Sequence, residues 1–198
     1  MEADDVTADV KKLREGLQEL PEATAHPVLV IISGLPGTGK SHFSRKLAER
    51  LPGVVLESDV FRKQLFRYPV YSSWESQRLF AALHRLTEEL LISGITVILD
   101  ATNLIEQHRE HLYNIAYRVK VKLIIVQVEA PWEVVSQRLQ ERSMGAVVDG
   151  HSDADLIVYQ RMMSQAEKIR RNHFSVDTSK DINPIISKIV REARKKSA

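Results

Sequence analysis

The chain has 198 residues, enough for one domain with a proper core, and its 43% hydrophobic and 27% charged residues are ordinary globular values. Its 28 basic and 26 acidic residues leave a net charge of +2, too small to argue by itself for a nucleic-acid partner. There is no cysteine, which excludes disulfides, thiolate metal sites and cysteine nucleophiles. No apolar run approaches the roughly 18 residues of a membrane span, and the acidic start Met1 to Asp5 is unlike a signal peptide, so a cytoplasmic protein with no membrane partner is expected.

Residues 6 to 20 read as a helix with Val10, Leu13, Leu17 and Leu20 on one stripe, ended by Pro21 and Pro27. Residues 1–26 are thus an N-terminal extension, suited to packing on the flank of the main domain (27–198) or to a dimer contact; a monomer or a homodimer fits equally. Val28 to Ile32 is a short apolar, β-branched run of the kind found in buried parallel strands. A glycine loop follows, and then a helix from His42 to Arg50. After the Pro52-Gly53 turn come strand Val54 to Leu56, running into Glu57-Ser58-Asp59, and a brief helix from Val60 to Phe66. Residues 67 to 73 read as a loop and Trp74 to Ser93 as a long amphipathic helix ended by Gly94. Ile95 to Leu99 is a third strand, finishing at Asp100; a helix from Glu106 to Tyr117 leads to a fourth, Val121 to Val128. Pro131 opens a helix through Arg142. Ser143 to His151 reads as a loop, and Ser152-Asp153 as the cap of a helix reaching about Arg171. His173 to Val176 supplies a fifth strand, and Asp181 to Lys195 the last helix.

Strands alternating with helices, each strand apolar on both faces, predict an α/β fold with a covered parallel sheet. Ligands then gather at the carboxyl ends of the strands, which brings the glycine loop, Asp59, Asp100 and the segment after Val128 into one neighbourhood.

The glycine loop, Gly34-Leu35-Pro36-Gly37-Thr38-Gly39-Lys40-Ser41, matches the phosphate-binding pattern G-x-x-x-x-G-K-[ST] between a strand and a helix. Its glycines let successive N–H groups turn inward at phosphate oxygens, Lys40 brings a point charge to the β- and γ-phosphates, and the Ser41 hydroxyl can ligate Mg²⁺. The helix beginning at Ser41-His42 directs its dipole at the same anion. The spacing therefore predicts a nucleoside triphosphate, with ATP and Mg²⁺ the expected pair.

At the end of the second strand, Asp59 and Arg62 lie three apart on a starting helix: a carboxylate to accept a proton from an attacking hydroxyl and a cation to hold an acceptor. At the end of the third, four apolar residues lead to Asp100-Ala101-Thr102-Asn103, the form of an element whose carboxylate holds Mg²⁺ or, alternatively, hydrogen-bonds the acceptor. Arg138 and Arg142, one helical turn apart before the second glycine-containing loop, suit arginines that reach a triphosphate as a lid (about 138–155) closes. The pair His108 and His111 has metal-binding spacing but no evident third ligand. The basic end from Arg191 suits a helix C-terminus, and Tyr68, Tyr71 and Trp74 lie on the presumed acceptor side, where they could stack on a base or pack beneath a loop.

These motifs together carry a resemblance, over roughly residues 28 to 180, to the small P-loop kinases grouped with the 5′-kinase domain of phage polynucleotide kinase, the zeta toxins and chloramphenicol phosphotransferase. The motifs quoted for it are GLPGTGKS, Asp59-x-x-Arg62, the strand ending Asp100-Ala101-Thr102-Asn103, Arg138-x-x-x-Arg142 and Ser152-Asp153. The resemblance implies a three-layer P-loop fold with five parallel strands in the adenylate-kinase-like order 2-3-1-4-5, a helical lid, and transfer of the γ-phosphate of ATP to a hydroxyl. It implies Asp59 as general base, Arg62, Asp100 and Asn103 on the acceptor side, Arg142 on the phosphates, and Val176 to Ser179 near the adenine. The acceptor stays open between a nucleic-acid 5′-hydroxyl and a small metabolite or antibiotic. An NTP-hydrolysing switch is the reading of another class, disfavoured by the absence of N-K-x-D and by the presence of an acceptor-side base.

Overall fold

The computed structural model describes residues 3–17, 19–143 and 156–195, without the side chains of residues 3, 4, 142 and 143. Five strands form one sheet: β1 (Val28–Ser33), β2 (Val54–Glu57), β3 (Val97–Asp100), β4 (Lys122–Glu129) and β5 (Phe174–Asp177), in the order β2-β3-β1-β4-β5. Every pairing is parallel. The order and the parallel sense agree with the α/β architecture expected from the sequence.

The central strand shows why the sheet is covered on both sides. All six residues of β1 are buried, and successive side chains leave opposite faces. Leu29 and Ile31 join a core layer built with α1 (Ala3–Glu15), α3 (Ser58–Leu65), α4 (Ser73–Ile92) and α5 (Glu106–Val119). Val28, Val30 and Ile32 join the opposite layer, under α2 (Lys40–Ala48) and α8 (Asn183–Arg194). A smaller cluster, Val135, Leu139 and Tyr159, packs α6 (Trp132–Ser143) on α7 (Leu156–Gln165) and takes up Leu35 from the loop after β1.

The N-terminal helix lies on the flank formed by α3 and α4. Val10 and Leu13 are buried there, and Arg78 donates from Nε and Nη2 to the two oxygens of buried Asp9 at 2.6 and 2.8 Å. Lys12 Nζ donates to the carbonyl of Leu65, and Gln64 Nε2 to that of Lys12, so α1 also closes the end of α3. The helix stops at Glu15, short of the expected residue 20: Gly16 and Leu17 donate back to Leu13 and Arg14 in a tightened last turn.

The larger departure is α7, which ends at Gln165 where the local pattern continues to about Arg171. The backbone beyond it is claimed from outside. Glu167 N–H donates to Leu104 O at 2.9 Å, and the guanidinium of Arg109 takes the carbonyls of Glu167 and Lys168. Those groups cannot also serve a continuing helix. The loop Ser143 to His151 apart from Ser143's backbone, the Ser152-Asp153 cap and the side chain of Arg142 lie outside the described residues.

Candidate active site

The phosphate loop is held by its neighbours before any ligand arrives. Gly34 N–H donates to Thr102 O at 3.1 Å, and a Cβ at Gly34 would stand 2.4 Å from Val128 O, so only glycine fits between β1 and the end of β4. Thr38 Oγ1 donates to Leu35 O at 2.8 Å and fixes the bend of the loop. Gly39 takes φ +89° at the N-cap of α2, with Thr178 Oγ1 and Arg138 Nη1 where its side chain would be. No side chain caps α2, which leaves its first-turn N–H groups for an anion. Lys40 Nζ donates to Leu35 O at 3.0 Å, folded back across the loop. Pro36 is buried and His42 is exposed, one residue past Ser41.

Two carboxylates meet beside this loop. Asp100 ends β3 directly opposite Glu57 of β2, and Asp59 follows in the first turn of α3. Asp100 is buried, and burial pushes its carboxyl above the usual carboxylate range. Lys40 pulls it back, as do the Ser41 and Ser44 hydroxyls, while the charge of Asp59 pushes it further up. Lys40, Ser41, Asp59 and Asp100 therefore form one cluster at the strand ends. Asp100 Oδ2 is buried with no hydrogen-bond partner. An orphaned carboxylate oxygen beside a serine hydroxyl is a pair of hard oxygen donors, which fits Mg²⁺ bound by few protein ligands together with phosphates and water.

Arg62 is also on this side, and it is buried. Its Nη2 donates to Ser76 Oγ at 3.2 Å, its Nη1 lies 3.7 Å from the buried carboxylate of Glu75, and its guanidinium sits 4.8 Å from the centroid of the Tyr71 ring. Nε and Nη1 have no hydrogen-bond partner. Glu75 is a residue that sequence reasoning missed. The signal was there: Ser72-x-x-Glu75 has capping-box spacing, and Ser72 Oγ does accept from Glu75 N–H at 3.2 Å. The Glu75 carboxylate, however, turns to Val70 N–H at 3.0 and 3.1 Å and to Arg62, tying the 66–72 connection to α3.

Asn103 and Arg138 make their contacts around the loop itself. Asn103 has φ +45°, and its amide donates to Ile32 O at 2.8 Å, while its carbonyl accepts from Ser33 Oγ and from Arg109 Nη1. It pins the loop after β3 to β1. Arg138 donates to Gly37 O at 3.3 Å, and to Thr178 Oγ1 and Thr178 O at 3.0 and 3.2 Å. Thr178 Oγ1 donates to Thr38 O at 2.6 Å, and the neighbouring Asp177 carboxylate accepts from Ser179 N–H and Oγ. Arg138 and the turn after β5 thus brace the phosphate loop from outside. A cleft of about 440 Å³ opens beside the loop, lined by Gly34, Leu35 and Thr38 of the loop itself together with Gln127, Glu129 and Asp177.

The parallel sheet order and the glycine loop at the end of its central strand define a kinase-like P-loop nucleotide-binding protein. The chain belongs to the AAA_33 family, described as an AAA domain, whose model matches residues 29–169. It is similar to an L-seryl-tRNA(Sec) kinase of Methanococcus maripaludis, 30% identical over 120 residues, which is 58% of this chain and 46% of that relative. The match thus spans about half the length of the relative. Among solved structures, a candidate kinase from Chloroflexus aurantiacus superposes with a TM-score of 0.67 at 23% identity, over 85% of this chain and 99% of the other. The Mycobacterium tuberculosis APS kinase CysC, solved in complex with AMPPNP and APS, gives 0.65 at 16% identity, over 87% and 100%. At these identities the likeness is one of fold. No helix of the described residues is long and apolar enough to cross a membrane.

Proposed function

We propose that the chain is an ATP- and Mg²⁺-dependent kinase that moves the γ-phosphate to a hydroxyl of an acceptor lying over Asp59. The observation that carries this reading is the cluster of Asp59 and Asp100 with Lys40 and Ser41 at the carboxyl ends of β1, β2 and β3. A nucleotide switch has no need of a second carboxylate on the acceptor side.

Each residue then has a task. The N–H groups of Gly37 and of Gly39 to His42 cradle the phosphates, and Lys40 exchanges the Leu35 carbonyl for phosphate oxygens. Ser41 and Asp100 would hold Mg²⁺, which when bound neutralises charge on the phosphates. Asp59 accepts the proton of the acceptor hydroxyl as its oxygen attacks the γ-phosphorus; the bond to the β,γ-bridging oxygen breaks, and that oxygen leaves with the electron pair on ADP. Arg62 supports the acceptor side from beneath Tyr71, and Asn103 and Arg138 hold the surrounding loops in shape. Arg142, from the base of a lid, meets charge on the transferring phosphoryl group. The resemblance to the polynucleotide-kinase, zeta-toxin and chloramphenicol-phosphotransferase group supports the same roles. The Methanococcus maripaludis relative acts, by its name, on L-seryl-tRNA(Sec), an acceptor that joins a hydroxyl to a nucleic acid, which supports a hydroxyl acceptor here.

The test is ADP release with ATP and Mg²⁺ across 5′-hydroxyl oligonucleotides and small hydroxylated metabolites, in wild type and Asp59→Asn. The expected result is release stimulated by one acceptor class and reduced about 10² to 10⁴-fold in Asp59→Asn. A slow rate indifferent both to every acceptor and to the substitution would sink the proposal.

A further inference from the structure

Residues 60–74, VFRKQLFRYPVYSSW, contain three cations (Arg62, Lys63 and Arg67) and no carboxylate, in a chain whose charges otherwise nearly balance. The same stretch turns Tyr68, Val70, Tyr71 and Trp74 to the surface, with Tyr68 77% and Trp74 58% exposed. Three aromatic rings and a valine within seven residues are thus exposed on one connection, apolar surface of the sort that marks an interaction site. The rings are held. Arg67 lies 5.5 Å from the centroid of Tyr68, Arg78 lies 5.4 Å from that of Trp74, and Phe66 packs on Trp74 at 5.9 Å between centroids. Arg78 is itself fixed by its two bonds to Asp9, so α1 anchors the patch from below.

One end of the patch meets the acceptor side of the cluster. Tyr71 covers Arg62, which is three residues from Asp59; its Nη1 faces the Glu75 carboxylate at 3.7 Å without a hydrogen bond, and its Nε has no hydrogen-bond partner. With Arg62 facing Glu75, it is the exposed Arg67 beside Tyr68 that can meet a backbone phosphate, and the exposed ring faces call for a flat apolar group. Phosphate and base alternate along a nucleic-acid strand, and positive charge interleaved with aromatic faces is how proteins hold unpaired strands. An acidic peptide would satisfy the cations and leave the ring faces unused. We infer that residues 66–78 form a stacking ledge for the terminal nucleotides of a single-stranded nucleic acid that carries the acceptor hydroxyl. This rests on the reading of the Asp59 side as the acceptor side.

The protein has two tryptophans, Trp74 and Trp132, so in Trp132→Phe the emission reports Trp74 alone. The probe is a short single-stranded oligoadenylate with a 5′-hydroxyl, added without ATP, beside an oligomer of equal length whose terminal positions are abasic. Expected are quenching of Trp74 by the oligoadenylate, about 10-fold or more weaker binding of the abasic oligomer, and a similar loss in Tyr68→Leu, an exposed change whose fold is checked by circular dichroism. Binding should also weaken as salt rises. An unquenched Trp74, equal affinity for the abasic oligomer, or polyglutamate binding as tightly as the oligoadenylate would each overturn the ledge. The two readings fail separately: Asp59-dependent ADP release with a metabolite and no oligoadenylate binding removes the ledge and keeps the kinase. Quenching by the oligoadenylate without any Asp59-dependent ADP release does the reverse.

Discussion

Arg109 holds more of the loop architecture around the site than any residue with an assigned chemical role. It is fully buried, with Nε on Glu106 at 2.7 Å, Nη1 on Asn103 O at 2.7 Å and Nη2 on Glu167 O at 3.1 Å. Truncating it would strand a partner carboxylate and several carbonyls, so Arg109→Ala should cost about 3–5 kcal/mol in denaturant unfolding. Arg109→Lys should recover only part of this, because an ammonium cannot span three partners set at the angles of a guanidinium. His84 offers a second test at this scale. Its ring lies 5.7 Å from that of His111 and 6.1 Å from that of Phe80, and burial, with His111 and His108 adding to it, lowers it from 6.5 to about 4. The folded pKa lies below the unfolded one, so the unfolded chain binds the proton first. Stability is then fully present above about pH 6.5 and is lost as pH falls from 6.5 toward 4, by up to about 3 kcal/mol. Urea midpoints at pH 7 and pH 5 should show this loss, and His84→Gln should flatten it. Neither residue announces itself in the sequence. His108 and His111 read as an exposed pair at metal-like spacing, and the histidine that gives them a context lies on another helix.

The proposed acceptor side is an assembly of elements. α1 carries Asp9 to Arg78, Arg78 carries Trp74 and Phe66, and Glu75 at the start of α4 ties the 66–72 connection to Arg62. The stripe Val10 and Leu13 was legible from helical spacing, and both side chains are buried as that spacing requires. Leu17 is partly buried against the same core, but Leu20 is 43% exposed, because the helix ends at Glu15 and the chain leaves the α3–α4 surface. Leu13→Ala should cost about 2–5 kcal/mol, as a fully buried leucine between helices does. Asp9→Asn should cost less, about 1–2 kcal/mol, since Arg78 is partly exposed and regains water. Its sharper signature should be a shift in the Trp74 emission of Trp132→Phe, read in the same denaturation experiment. An unchanged emission would mean that α1 does not set the position of the ring.

For the whole molecule, the sheet and its central loop stand or fall together. Gly34 lets β1 and β4 close with Val128 O where a side chain would be, so Gly34→Ala should separate the strands at the loop. The expected result is a lower melting temperature without ligand and loss of the rise that ATP with Mg²⁺ should give the wild type; an equal rise in both proteins would contradict it. The sequence by itself determined the parts that rest on local pattern. Apolar runs on both strand faces dictate a buried parallel sheet, glycine spacing dictates a loop of inward N–H groups, and an aspartate after an apolar strand lands at a carboxyl end where ligands gather. Only the tertiary structure decided which partners the long side chains take: Arg62 with Glu75 and Tyr71, Arg138 with Gly37 and Thr178, and Arg109 with Asn103 and Glu167. It also ended α7 at Gln165, where the local pattern runs on. The physical reason is common to these cases. A hydrophobic period is a property of neighbours in the chain, whereas a buried arginine or a backbone carbonyl is satisfied by whatever group the fold brings within about 3 Å, and such groups lie tens of residues away with no periodic signal of their own.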